Sequence, residues 1–415
     1  MDISNRKWQR VYRWLLSYID ENKFTENQKL PSDNTLCRRL SVSRETVRLA
    51  MDQLEQENLI TRVRGSGTYF NKEVAMSREL SRADFQIKIG LILQGQDGGA
   101  ESELIRGVRS MLKMDEQAEL KIFLTDNKFA NERRCLQTVM HQNFSGFIVD
   151  GVKASMASPN LDCYRELQRH GIPLIFYNNY YQNLRCPKVG VNNMVCAEQL
   201  VGRLIQAGHR HIAGVFVFDN YQSVEKFHGM YESLRRHGVE FQDDYIKWCI
   251  SNEAHDDRFG KNIIQFLKSV PKCTAIVCCN YRIYRLVRNV LERMGKRVPE
   301  DYSMVCFDYS SDKWEEERIT CSIHQAYRLG AQAAKLLLQM INRGECNERD
   351  YSLMMRPEIY QGDSIGIISS KKKIKSGKAV DFRQKKSVTA AFGIYYFFFR
   401  ETWRIACTPV GNVVE

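Results

Sequence analysis

Apolar side chains recur at helical spacing over residues 5–22 (Trp8, Val11, Tyr12, Leu15, Leu16, Ile19), with Arg6, Lys7, Arg10 and Arg13 among them. A helix with one buried face is expected there. Leu30-Pro31-Ser32 then opens a second helix, with Ser32 as N-cap and Leu36 and Leu40 facing inward. After the short turn Ser41-Val42, Ser43 caps a third helix whose inner side carries Val47, Met51, Leu54 and Leu59. LITRVR alternates apolar and polar, Gly65-Ser66-Gly67 makes a tight turn, and TYF returns as a second strand. A helix, a helix-turn-helix and a hairpin in this order predict a winged helix-turn-helix over residues 1–70.

Residues 71–86 are polar with few apolar anchors and read as a linker. From Ile87 the period changes. IKIGLIL, LKIFL, GFIVDG, PLIFYN, HIAGVFVF, TAIVCC and YSMVCF are near-continuous apolar runs of strand length. Amphipathic helices separate them at roughly 101–114, 130–142, 161–170, 193–207, 223–237, 257–269 and 281–294. Buried parallel strands joined by helical crossovers produce such runs, so residues 87–366 are expected to be α/β with parallel sheets. That length is too great for one open sheet and predicts two lobes. Residues 367–415 break the pattern: a lysine-rich stretch, KKKIKSGK to RQKK, precedes AAFGIYYFFF. They are expected to be a basic, poorly ordered tail.

Charge sharpens this division. The formal net charge of +12 over 415 residues is uneven: residues 1–72 hold 13 Lys and Arg against 9 Asp and Glu, residues 73–369 hold 38 against 37, and residues 370–415 hold 10 against 3. The body is neutral, and attraction to phosphate belongs to the two ends. No stretch approaches the ~20 apolar residues that span a bilayer. The first residues, MDISNRKWQRVYRWLL, lack the apolar core and cleavage site of a signal peptide, which points to a cytoplasmic protein with no membrane partner. The 13 cysteines contain no C-x-x-C and are expected to be buried free thiols. His209 and His211 have no second ligand cluster, so they are expected at the surface of a helix-to-strand turn, and no metal or cofactor is expected.

The segment LPSDNTLCRRLSVSRETVRLAMDQLEQENLITRVRGSGTYF resembles the winged helix of the GntR family across about 40 residues. Leu-Pro-Ser before helix two, Val-Ser-Arg-x-Thr-Val-Arg at the start of helix three and Gly-Ser-Gly-Thr in the wing carry the likeness. The resemblance implies that helix three enters the major groove of double-stranded operator DNA with its first residues on base edges. Arg44 and Arg48, four apart, share one face and suit guanine O6 and N7 or a phosphate. Glu45 and Thr46 complete the exposed edge, with glutamate accepting from cytosine N4. Ser43 and the helix N-terminus suit a phosphate. In the wing, Arg62 and Arg64 flank a tip whose Gly65 and Gly67 let the backbone approach the minor groove. Asn34 stands where many members of the family carry arginine.

Residues 87 to about 362 resemble the effector domain of the LacI/GalR family, carried by VGVNNMVCAEQLVGRLIQAGHRHIAGV, KFHGMYESLRRHGV, TAIVCCNYRIYRLVRNVLERMGKRVPEDYSMVCFDYSS and ITCSIHQAYRLGAQAAKLLLQMI. This implies a two-lobed type I periplasmic-binding-protein fold. Joined to this winged helix, it has the architecture of AraR-type arabinose repressors. A small polar effector, a sugar or sugar derivative, is then expected between the lobes at the strands' C-terminal ends. Those ends supply Asp150, Asn178, Asn280 and Asp308. Lys226 stands where the family has a ligand-binding arginine, Gln325 at a family position near the hinge, and Tyr281 where an aspartate is common. Tyr177, Tyr281 and Trp314 are candidates for stacking on a ring. Lysine is a point charge and not a bidentate fork, which opens acidic sugars and sugar phosphates as ligands. An enzyme, or a sensor of something other than sugar, on the same scaffold is the alternative. No P-loop, nucleophile elbow, dinucleotide fingerprint or metal cluster supports an enzyme. A homodimer is expected, because winged helices on a palindromic operator come in pairs.

Overall fold

The computed structural model describes residues 22–72, 87–95, 100–112, 118–253, 258–309 and 317–368, apart from positions 41, 141, 143 and 345. It also describes eight helical positions between Trp8 and Ile19. Most of the expected linker, and the tail beyond Ile368, lie outside the described residues.

Asp33–Leu40 (α1) and Arg44–Gln56 (α2) are the paired helices of the turn, and Ile60–Val63 (β1) lies antiparallel to Gly67–Phe70 (β2). Each helix begins where a hydroxyl is available. Ser32 Oγ accepts from Thr35 N at 3.3 Å and Ser43 Oγ from Thr46 N at 3.2 Å, satisfying N–H groups that a helix start leaves unpaired. Val11 and Leu15 pack with Leu36, Val47, Met51, Leu54 and Leu59 into one core. Truncating Leu36 or Met51 to alanine there costs about 2–5 kcal/mol. In the wing turn Gly65 and Gly67 have φ of +79° and +136°, and a Cβ on Gly67 would approach Lys29 Cε to 2.5 Å.

The runs after Ile87 form two six-stranded sheets. Lobe 1 contains β3 (Lys88–Leu93), β4 (Glu119–Leu124), β5 (Gly146–Val149), β6 (Leu174–Tyr177) and β7 (Lys188–Val191). With β13 (Leu353–Met355) their order is β13-β7-β6-β5-β3-β4, every pair parallel. Lobe 2 contains β8 (Ile212–Val217), β9 (Ile246–Cys249), β10 (Ala275–Cys278), β11 (Ser303–Tyr309), β12 (Cys321–Ile323) and β14 (Ile359–Tyr360), in the order β14-β12-β11-β10-β8-β9. Only β12–β14 is antiparallel there.

The helices of lobe 1 are α3 (Ala100–Leu112), α4 (Phe129–Met140) and α5 (Leu161–Arg169). Those of lobe 2 are α6 (Asn193–Gln206), α7 (Tyr221–Arg236), α8 (Arg258–Ser269) and α9 (Tyr281–Arg293). Each lies within two residues of its expected ends. Ala326–Arg343 (α10) returns to lobe 1 and seats Leu329, Ala333 and Leu337 against Ile89, Leu91 and Ile175. It lies so close to α3 that a Cβ on Gly107 would fall 2.0 Å from Tyr327 O, and one on Gly330 would fall 2.3 Å from Leu104 O.

The chain therefore passes between lobes at Asn192, at 324–325 and at 356–358. Hydrogen bonds join these passages: Asn192 N to Met355 O (2.9 Å), Ile323 N to Glu358 O (2.8 Å) and Gln325 Nε2 to Arg356 O (2.9 Å). Such a bundle of crossings is a hinge, because each lobe is a separate sheet with its own core.

Two expectations need correction. His209 is buried, its Nδ1 paired with Thr274 Oγ1 (2.9 Å) and its Nε2 with Gly366 O (3.0 Å), and burial lowers its pKa. It pins the end of the domain to the α6–β8 turn. Among the described cysteines nine are buried as expected, but Cys37 and Cys135 are half-buried and Cys346 is exposed.

Candidate functional site

At the start of α2, Arg44, Glu45 and Arg48 are exposed. Neither arginine has an ion-pair partner among the described residues. Thr46, expected on the same edge, is instead only 8% exposed, and its hydroxyl pairs with Ser43 Oγ at 2.8 Å. Both hydroxyls are committed to the helix cap. Arg62 also departs from expectation. Its guanidinium turns back onto α2, 2.6 Å from Asp52 Oδ1 and 3.6 Å from Glu55 Oε2, and donates to Arg48 O at 3.4 Å. Arg62 thus braces the wing against the helix, while Arg64, next to exposed Gly65, remains open to solvent. A helix start carrying two unpaired guanidiniums, beside a glycine-tipped hairpin, is suited to a polyanion.

The other candidates lie at the strands' C-terminal ends in both lobes. In lobe 1, Asp150 follows β5 and accepts from Asn179 Nδ2 at 2.9 Å; burial raises its carboxyl to about 7. Asn178 follows β6 with φ of +60° and is half-buried, without a side-chain partner among the described residues. Tyr177 points into the lobe 1 core and is 5% exposed, so it offers no open face for stacking. Trp314 lies outside the described residues.

In lobe 2, Lys226 on α7 is 2% exposed. Its Nζ donates to Asp308 Oδ2 and, at 3.1 Å, to Cys279 O. Asp308 has φ of +54° and its N–H donates to Ser322 Oγ at 3.0 Å, which turns the carboxylate out of the strand register toward Lys226. Asn280 is the N-cap of α9, its side chain accepting from Ile283 N at 2.8 Å. Tyr281 OH donates to Glu317 at 2.8 Å, and its ring stands edge-on to Tyr309 at 4.6 Å. Gln325, on a crossing, is bonded to Arg356 O. Lys226 and Asp308 are thus brought together, while Asp150 and Asn178 stand at the strand ends of the other lobe.

A second set, absent from the sequence reading, joins the two lobes. Tyr180 OH donates to Glu225 Oε1 (2.9 Å), Gln182 Nε2 to the Tyr221 hydroxyl (2.5 Å) and Gln222 N to Asn179 Oδ1 (3.4 Å), while within lobe 2 Asn193 Nδ2 donates to Glu225 Oε2 (2.8 Å). Ser155 OH donates to Phe218 O. Burial raises the Glu225 carboxyl above its usual range. The only signal available was spacing: Tyr221 and Glu225 share one face at the start of a helix that follows a strand end.

Beneath lobe 1's loops, fully buried Glu132 accepts from Tyr164 OH (2.7 Å), Tyr181 OH (2.8 Å) and Asn160 Nδ2 (2.7 Å). It fixes the segments that follow β5 and β6. No group of three or more His, Cys, Asp or Glu placed to hold a metal occurs among the described residues. No helix among them is long and apolar enough to cross a membrane.

Residues 7–70 match the profile of bacterial regulatory proteins of the gntR family, and residues 201–365 that of a periplasmic binding protein-like domain. The chain is 28% identical over 370 residues to the arabinose metabolism transcriptional repressor of Halalkalibacterium halodurans, covering 88% of this chain and 98% of that one. It is 27% identical over 362 residues to the repressor of the same name from Geobacillus stearothermophilus, covering 85% and 96%. A solved complex of the transcriptional regulator CelR with cellobiose shares the fold at a TM-score of 0.59 and 18% identity, covering 81% of this chain and 100% of that one.

Proposed function

We propose that this chain, a gntR-type winged helix ahead of a periplasmic binding protein-like sensor, is a transcription repressor released from its operator by a neutral sugar. The observation that carries the reading is the pairing, in one chain, of Arg44 and Arg48, without ion-pair partners among the described residues, at the start of α2 with two hinged lobes whose strand ends carry polar side chains. Residues 1–70 bind double-stranded DNA, 71–86 link, 87–366 sense, and 367–415 are dispensable. Two copies associate, so that two α2 helices meet successive major-groove half-sites.

The cleft chemistry selects the ligand class. Asp308 already neutralises Lys226, so that lysine offers no free cation to a phosphate or carboxylate. Glu225 lies within the field of Lys226, and the strand ends of the two lobes add the carboxyls of Asp150 and Glu317 and the amides of Asn178 and Asn179. Such groups accept from and donate to hydroxyls. The named function of the two relatives makes arabinose the first sugar to try, and cellobiose, bound by CelR, the second.

Effector release requires that the sugar bind one lobe arrangement better than the other. A duplex selected from a random pool by the full chain should be bound, and arabinose should weaken that binding in a dose-dependent manner. Failure to retain any duplex sequence would end the proposal.

A further inference from the structure

We infer that His324, on a lobe crossing, is an effector-binding residue, its Nδ1 taking one hydroxyl of the ligand and carrying that contact to the hinge. The inference rests on the sugar-sensor reading above, and it names a residue that neither the strand-end rule nor the family resemblance picks out.

Three features support it. First, His324 Nδ1 and the next residue's Gln325 Oε1 are buried polar atoms with no hydrogen-bond partner among the described residues. Buried polar groups are bonded in nearly every native protein, so an orphan calls for a missing partner. Two on successive residues of one crossing make a packing accident a poor account.

Second, three neighbouring groups of this segment are used. His324 N donates to Tyr309 O (2.9 Å), Gln325 Nε2 to Arg356 O (2.9 Å) and Ile323 N to Glu358 O (2.8 Å). The backbone is held rigidly while two side-chain atoms are left over.

Third, the imidazole lies within the fields of Asp308 and Lys226, the pair at the strand ends of lobe 2, and burial lowers its pKa. A neutral imidazole has one donor and one acceptor nitrogen. A hydroxyl, which both donates and accepts, satisfies Nδ1 in either tautomer; a carboxylate or phosphate satisfies only one of them. Gln325 Oε1, an acceptor, calls for a hydroxyl that donates. The two orphans together fit a polyhydroxyl ligand. Because residues 324–325 themselves pass between the lobes, a ligand bond there acts on the hinge directly.

The test uses the full chain, a labelled selected duplex, and arabinose, with ribose, xylose, galactose and cellobiose in parallel. His324→Leu should retain wild-type operator affinity and wild-type apo melting, since it removes an atom that forms no bond in the free protein. Its half-saturating sugar concentration should rise at least tenfold. His324→Asn, whose amide can reach the Nδ1 position, should recover most of the loss. Equal half-saturation in His324→Leu and wild type would overturn the inference, as would a lower apo melting temperature shared by both variants with unchanged sugar response. If wild type itself ignores all five sugars, the sugar-sensor reading fails first and takes this one with it.

Discussion

The winged helix and the sensor hold their functional side chains in opposite ways. On α2, Arg44 and Arg48 project into solvent with no partner among the described residues. In the sensor nearly every polar group at the strand ends is already engaged: Lys226 with Asp308, Asp150 with Asn179, Glu225 with Tyr180 and Asn193. A polyanion is met by free surface charge, and its binding is set by counterion release and bidentate contacts. A small neutral ligand is met by a preformed network in which only a few atoms are left for it. That difference predicts which substitutions abolish function outright and which act by shifting an equilibrium.

The largest effect should come from the free charges. Arg44→Ala with Arg48→Ala should cost about 2–6 kcal/mol of operator binding, taking each bidentate base contact as worth about 1–3 kcal/mol. The salt slope of binding should fall as well, while the melting temperature stays put. Fluorescence anisotropy at several salt concentrations reads both. Undiminished binding would remove α2 from the interface.

Next is Lys226→Met, which strands Asp308 beside a buried methionine. Breaking a buried pair costs about 3–5 kcal/mol, and because Asp308 keeps 21% of its side chain exposed the loss should be nearer 2–3 kcal/mol. Sugar-induced melting shifts should vanish, while operator affinity without sugar is kept. A full sugar response in this variant would show that the pair lies outside the site.

Glu132→Leu should be third. It leaves the Tyr164, Tyr181 and Asn160 donors without their acceptor, at about 1–3 kcal/mol for each group that cannot relax to another partner. Chemical denaturation should show the loss, with the winged helix's own DNA contacts intact. A stability equal to wild type would mean the buried carboxylate carries no net weight.

A smaller, pH-dependent effect belongs to Asp150. Its folded carboxyl titrates at about 7 and its unfolded one near the ordinary 3.8, so the folded chain holds a proton that the unfolded chain has released. Stability should therefore fall as pH rises from about 4 to about 7 and level off above. Raised Glu132 and Glu225 add slope of the same sign, so Asp150→Asn should flatten the melting-temperature profile only in part. An unchanged profile would contradict the buried, protonated state.

The same contrast explains how much could be read from the chain. The winged helix was legible nearly residue by residue, because caps, heptad-like burial and glycine turns are local signals. Two positions there differ from expectation: Thr46 is buried with its hydroxyl taken up by the Ser43 cap, and Arg62 pairs with Asp52, ten positions away, a contact that only the folded geometry places. In the sensor, seven apolar runs became β3, β4, β5, β6, β8, β10 and β11, whereas β7, β9, β12, β13 and β14 escaped. Those have two to four residues, and most sit at or next to a sheet edge, where continuous burial is not demanded. Strand ends located Asp150 and Asp308 but could not say which way a side chain turns. Tyr177 turns into the core, Tyr180 and Glu225 pair across 45 positions of sequence, and no local pattern marks His324 Nδ1 as unbonded.

Sugar and operator should oppose each other through the hinge, and one titration measures this most directly. Anisotropy of a labelled selected duplex would be followed at increasing arabinose, and calorimetric arabinose affinity measured with and without saturating duplex. The account predicts that sugar weakens the duplex and that duplex weakens the sugar by the same factor, as linkage requires. Arabinose that binds tightly yet leaves duplex affinity unchanged would contradict it.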